Sequence, residues 1–244
     1  MITRRKTLIV PACILPALAA ACSEQPLELP GPQRAALAIE RASPSIKKRL
    51  AAIGANLGDP VFIQAYKQER RLHLYVQPGE TGRFVEFASW PICAASGTLG
   101  PKKAEGDKQV PEGVYGVTPQ AMNNASSYHL SMNVGYPNAL DQSLGRTGSF
   151  IMIHGRCESV GCLAMTDPVI EEIWTLVSAA HRAGQAKVDV HIFPFVLSAK
   201  VLEGYSENEH LTFWTDLLKI QDAFERTGLP PTVTVNSARY MVAE

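Results

Sequence analysis

Apolar and polar positions divide the chain into a strand-rich middle flanked by helices. "VFIQAYK" (61–67) and "RLHLYVQ" (71–77) alternate around Gln68-Glu69-Arg70, which predicts a β-hairpin. "RFVEFASWPICAAS" (83–96) continues as a strand, and "VPEGVYGV" (110–117) runs from a Pro-Glu-Gly turn into another. "GSFIMIHG" (148–155) and "KVDVHIFPF" (187–195) are further apolar strands, and "PPTVTVNSARYMV" (230–242) ends the chain as one more. Helical spacing appears in three places. Residues 33–53 have helical composition interrupted by Pro44, which predicts one or two short helices. Ile170, Ile173, Trp174 and Val177 form a core-facing stripe at i, i+3, i+4, i+7 spacing. Thr166 or Asp167 would cap that helix, Pro168 suits its first turn, Glu171 and Glu172 complement its positive end, and Gly184 closes it. Residues 208–227 form an amphipathic C-terminal helix. Strands that do not alternate with helices predict a mainly β fold with decorating α-helices, among them short N-terminal helices and a C-terminal helix.

The first residues change the picture from a plain globular domain to an exported one. Arg4, Arg5 and Lys6 precede an apolar run from Leu8 to Ala20, followed by Ala21-Cys22, the layout of a secretory signal over residues 1–21. The run is short for a bilayer span and holds Pro11 and Pro16, which argues against a retained membrane anchor. Leu18-Ala19-Ala20-Ala21-Cys22 resembles a lipobox, in which Cys22 would be lipidated and become the mature N-terminus; simple cleavage after an A-x-A site is the alternative. Thr3-Arg4-Arg5-Lys6 fits a twin-arginine signal as well as an ordinary basic leader. "SEQPLELPGPQ" (23–33) is proline-rich and polar, and reads as a tether. The organisation is therefore a signal over 1–21, a tether with short helices over 22–58, a main domain over 59–196 and a C-terminal helical extension over 197–244.

Charge excludes one class of partner. The 244 residues carry 23 basic and 23 acidic side chains, and loss of the signal removes three basic ones and leaves a net charge of −3. No basic stripe for nucleic acid is present in the sequence. The only membrane contact expected is through a lipid on Cys22.

The chemistry concentrates in "FIMIHGRCESVGCLAMTDP" (150–168). His154, Cys157 and Cys162 are ligand types for zinc, but no second pair of ligands at knuckle spacing accompanies them, so neither metal nor other cofactor is expected. A nucleophile fits better. A thiol attacks as its thiolate, and an imidazole can take its proton. His154 ends an apolar strand that would hold its ring, Gly155 opens a turn, and Gly161 permits close backbone approach before Cys162. Cys162 lies about one turn before the helix cap, so outward N–H groups are expected to lower its pKa and to stabilise an oxyanion. The competing reading is an inert buried thiol.

"ICAASGTLGPKKAEGDKQVPEGVYGV" with "IMIHGRCESVGCLAMTDPVIEEI" resembles the YkuD-type L,D-transpeptidase domain, specifically its YafK-like branch, and the likeness runs on through "YPNALD", "IFPF" and "PPTVTV". The resemblance implies a YkuD-type β-barrel or sandwich over roughly 59–242, with Cys162 as nucleophile attacking a peptide stem of peptidoglycan. It implies His154 as proton acceptor and donor, Gly155 as the carbonyl orienting the imidazole, and Ser159 and Gly161 as shapers of the loop and oxyanion hole. A thioester would form at the third stem residue and pass to an amine or to water. Two departures stand out: Val160 replaces a second histidine found in many members, and Ala164 replaces an arginine or asparagine. The branch is also associated with hydrolysis that releases peptidoglycan-linked lipoprotein. Arg156, beside the base, either meets a substrate carboxylate or is a solvated turn residue. Cys93 and Cys157 either pair in a disulfide that braces the loop or stay as separate buried thiols. A non-catalytic peptidoglycan-binding envelope lipoprotein is the rival from another class; retention of both Cys162 and His154 favours the enzyme.

Overall fold

The computed structural model describes residues 29–79 and 82–243. The signal sequence and Cys22 lie outside these residues. The elements in chain order are α1 (Gly31–Ala52), β1 (Val61–Tyr66), β2 (Arg71–Val76), β3 (Val85–Pro91), β4 (Gly113–Val117), β5 (Met122–Asn123), β6 (Ser131–Asn133), α2 (Ala139–Ser143), β7 (Met152–His154), β8 (Leu163–Ala164), α3 (Asp167–Arg182), β9 (Val188–Phe193), α4 (Ala199–Glu203), α5 (Leu211–Thr227), β10 (Val233–Asn236) and β11 (Arg239–Val242). No helix of the described residues is long and apolar enough to cross a membrane.

The fold is mainly β with decorating helices. One sheet has the order β3-β2-β1-β9-β4, a second β5-β6-β7-β8, and β10-β11 form a separate hairpin. β1 and β2 pair antiparallel from Val61↔Val76 to Tyr66↔Arg71, as the alternation predicted. β1 also pairs in parallel with β9, and all six of its residues are buried. Backbone hydrogen bonds join the two sheets on both sides, from the Gly116 amide to the Val134 carbonyl and between Ala94 and Ala164, so together they approach a closed barrel. Ile63, Leu72, Leu74, Val190 and Ile192 meet Met132, Ile153 and Leu163 in the main core. Phe193, Phe195, Trp214, Leu217 and Ile220 form a second cluster beneath α5.

Two expectations at the N-terminal side need correction. Residues 31–52 form one helix of 22 residues that continues through Pro44, and its first turn takes Gly31-Pro32-Gln33 from the expected tether. Pro32 is tolerated because first-turn amides need no helical partner. Pro44 is tolerated because it and Glu40, whose carbonyl it leaves unbonded, both face solvent. The stripe Ala35, Ala38, Ala42, Ile46 and Leu50 keeps the helix whole by joining the main core. α1 lies along α3, where Arg41 and Arg49 each reach a carboxylate at 2.7 Å, Glu171 and Glu172 respectively. The last segment also differs, since 230–242 holds a two-strand hairpin rather than one strand.

Candidate active site

His154 is placed by the sheet. It ends β7, whose neighbours are β6 on one side, with Ser131 opposite His154, and β8 on the other, with Ala164 opposite His154. Its side chain is 2% exposed. The ring Nδ1 lies 2.6 Å from the Gly155 carbonyl oxygen, so Nδ1 carries the proton it donates there and Nε2 presents its lone pair. Burial holds His154 below the usual histidine range, and the Gly155 carbonyl offsets part of that shift.

Cys162 follows from the same register. Ile153 pairs with Leu163 and His154 with Ala164, and Cys162 is the residue immediately before β8. Cys162 belongs to the loop that leads into β8, not to the strand itself. Burial raises the Cys162 pKa above its ordinary value, partly offset by the Met152 backbone and the charge of Lys102. The Sγ–H points to the Phe150 carbonyl at 3.7 Å. Both shifts favour the neutral forms, so thiol and imidazole rest uncharged at neutral pH.

The expected helix-end electrostatics at Cys162 are not found, because β8 intervenes between Cys162 and α3. The amides beside the thiol already have acceptors: Gly161 N–H donates to Ser96 Oγ at 2.6 Å, and Cys162 N–H to Ser159 Oγ at 3.0 Å. Ser159 Oγ in turn donates to the Cys162 carbonyl at 2.6 Å. The helix start is differently used as well. Thr166 makes no side-chain cap, and Asp167 accepts the Arg156 amide at 2.7 Å, tying the loop to α3.

The loop from Gly155 to Cys162 is stapled at several points. Cys93 and Cys157 form a disulfide with Cα atoms 5.3 Å apart, which leaves Cys162 the free thiol among the described residues. Gly161 sits at φ +102°, a conformation that favours glycine. Gly155 has no room for a side chain, since a Cβ would come within 2.7 Å of Asp167 Oδ1. Arg156 is exposed. Phe150, at φ +54°, and Val160 are 71% and 70% exposed.

Three contributors were not singled out from the sequence. The Tyr128 ring lies 4.6 Å from the His154 ring and packs beside it, while Val160 supplies no second imidazole. Lys102 is buried and bonds Asp107 at 2.6 Å. Burial opposes ionisation of Asp107, yet the amides of Ala104, Lys103 and Gln109 together with Lys102 hold its pKa at about 2. Ser96 is the third, and only its place in the "ICAASG" segment hinted at it. Among the described residues no group of three or more His, Cys, Asp or Glu side chains could hold a metal ion.

Residues 60–192 match the family profile described as "L,D-transpeptidase catalytic domain", YkuD. The chain is 42% identical over 188 residues to "Putative L,D-transpeptidase YafK" of Escherichia coli strain K12, covering 77% of this chain and 76% of that one. Among solved structures, the helical cell shape determining protein Pgp2 from Campylobacter jejuni is 22% identical with a TM-score of 0.44, over 73% of this chain and 64% of that one. Bd1075 from Bdellovibrio bacteriovorus is 20% identical with a TM-score of 0.38, over 69% and 57%. The chain spans less than two thirds of either structure, and neither likeness bears on function.

Proposed function

Since the chain belongs to the L,D-transpeptidase catalytic domain (YkuD) family, we propose that it is an exported, cysteine-dependent acyltransferase of the cell envelope that acts on peptidoglycan peptide stems. The observation that supports the reading is that His154 ends β7 and pairs there with Ala164 of β8, the strand that Cys162 immediately precedes.

In this mechanism a stem enters with its scissile carbonyl over Cys162. His154 Nε2 takes the thiol proton as sulfur attacks the carbonyl carbon, and a tetrahedral oxyanion forms. The Gly155 carbonyl holds the imidazolium through Nδ1–H. The C–N bond then breaks, His154 returns the proton to the departing amine, and a Cys162 thioester remains. An incoming amine deprotonated by His154 completes transpeptidation, and water in its place completes hydrolysis. Neutral resting forms suit this order, because His154 must be unprotonated to accept the proton.

The test is to incubate the protein with defined disaccharide-peptides and with lipoprotein-linked peptidoglycan, beside a Cys162→Ala control, and to identify products by mass spectrometry. Amine-exchanged or cross-linked stems establish the transpeptidase. Release of the linked peptide with addition of water makes the protein a hydrolase on the same thioester. The absence of any Cys162-dependent product overturns the enzyme reading in favour of a binding protein.

A further inference from the structure

A second feature adjoins the catalytic loop on the side of Ser96. A cavity of about 290 Å³ is lined by Lys67, Gln68, Arg70, Ser96, Thr98 and Val110 among others. Its wall continues directly from the segment that pairs with β8: the Cys93 and Ala94 amides both donate to the Ala164 carbonyl, two residues after Cys162. The disulfide from Cys93 to Cys157 joins the same wall to the loop. The cavity and the nucleophile therefore share one rigid support.

The floor of the cavity is electrically closed. Lys67 Nζ donates to the carbonyls of Gly100 and Val110 at 2.8 and 2.9 Å and pairs with Glu112 at 2.9 Å. Glu112 also accepts the Gly100 amide at 2.7 Å and Trp214 Nε1 at 2.8 Å. Lys67 and Glu112 thus neutralise each other. The remaining cation is Arg70, whose exposed guanidinium donates to the Ala95 carbonyl at 3.2 Å and meets no carboxylate among the described residues. The lining adds the hydroxyls of Ser96 and Thr98. One guanidinium with neighbouring hydroxyl donors matches one carboxylate, and the volume suits an amino-acid-sized group.

Ser96 connects this cavity to catalysis. Its Oγ accepts the Gly161 amide at 2.6 Å and donates to the Lys108 carbonyl at 2.7 Å. While that bond holds, the Gly161 N–H is not available to an oxyanion. We propose that the cavity is a subsite for the terminal carboxylate of a peptide, and that a carboxylate on Arg70 draws the Ser96 hydroxyl off Gly161 and frees that amide for the reacting carbonyl. The second half rests on the acyl-transfer reading of Cys162; the first does not. Selection of a free peptide end and activation of the site then become one event.

The experiment uses Cys162→Ala protein and an N-acetylated dipeptide, supplied as the free acid and as the C-terminal amide. Calorimetry is expected to show the acid binding about tenfold or more tighter than the amide. Arg70→Gln is expected to erase that preference, and Arg70→Lys to retain part of it. In ¹⁵N-labelled protein the Gly161 amide resonance should move on adding the acid, and Ser96→Ala should show a displaced resonance without ligand. Equal binding of acid and amide, a preference that survives Arg70→Gln, or an unmoved Gly161 resonance overturns the proposal. Wild-type protein exposed to peptidoglycan stems separates the two readings. Arg70-dependent acid binding without any Cys162 acylation leaves the subsite standing and sinks the acyltransferase. Cys162 acylation without acid preference does the reverse.

Discussion

His154 ends β7 and Cys162 immediately precedes β8, but they are held by different means. His154 belongs to β7, fixed by pairing with β6 and β8 and by burial. Cys162 ends a loop whose hold comes from individual staples: the Cys93–Cys157 disulfide, Asp167 on the Arg156 amide, Ser96 on Gly161 and Ser159 on Cys162. A base needs one orientation throughout the cycle, which a strand provides. A nucleophilic loop must also admit substrate and release product, and separate side-chain bonds can exchange partners where a strand ladder cannot.

The contrast breaks most completely at the nucleophile. Cys162→Ala should abolish stem turnover while leaving the melting temperature nearly unchanged, since a thiol gives way to a methyl group in a half-buried place; product analysis and thermal melting check both halves. His154→Ala should slow acylation by roughly 10²–10⁴-fold, the contribution typical of a positioned base, as measured by single-turnover kinetics. Removing the disulfide tests the staples. Cys157→Ser opens a link between residues 64 apart in sequence. Chain entropy for such a loop sets a loss of about 4 kcal/mol, visible as a lower denaturation midpoint, and reducing agent should reproduce it in the wild type but not in the variant.

The smallest effect is in pH. Acylation requires neutral His154, so its rate should rise with pH through the His154 pKa and then level off. Because burial lowers that pKa, the acid limb should lie below the ordinary histidine value of about 6.5. The raised Cys162 pKa means that thiolate contributes no further gain at neutral pH. A limb above 6.5 in the pH dependence of kcat/KM contradicts the neutral resting pair.

The same division explains what could be read from the sequence. Features held by regular secondary structure were legible: the β1–β2 alternation, the apolar run into His154, and the α3 stripe of Ile170, Ile173, Trp174 and Val177 each follow from local periodicity. α1 was legible in composition but not in extent, because Pro44 breaks helices only where its lost hydrogen bond has no access to water. The loop was legible as chemistry and not as geometry. Residue types at 154–162 single out an imidazole and a thiol, but that Gly161 and Cys162 donate to Ser96 and Ser159 depends on side-chain contacts, one of them spanning 65 positions. Tyr128 lies on His154 across a chain reversal that no local pattern records. β8, two residues long, was missed for lack of any period, and with it the reason that α3 does not serve the thiol.

The central claim is that Cys162, served by His154, carries the acyl group. Intact-protein mass spectrometry of rapidly quenched mixtures with a peptidoglycan tetrapeptide stem measures it directly. The account predicts a transient adduct, equal in mass to the stem minus its departing amine, mapped to Cys162, absent in Cys162→Ala and much delayed in His154→Ala. Stem conversion with no adduct at Cys162, or an adduct forming equally fast without His154, would contradict it.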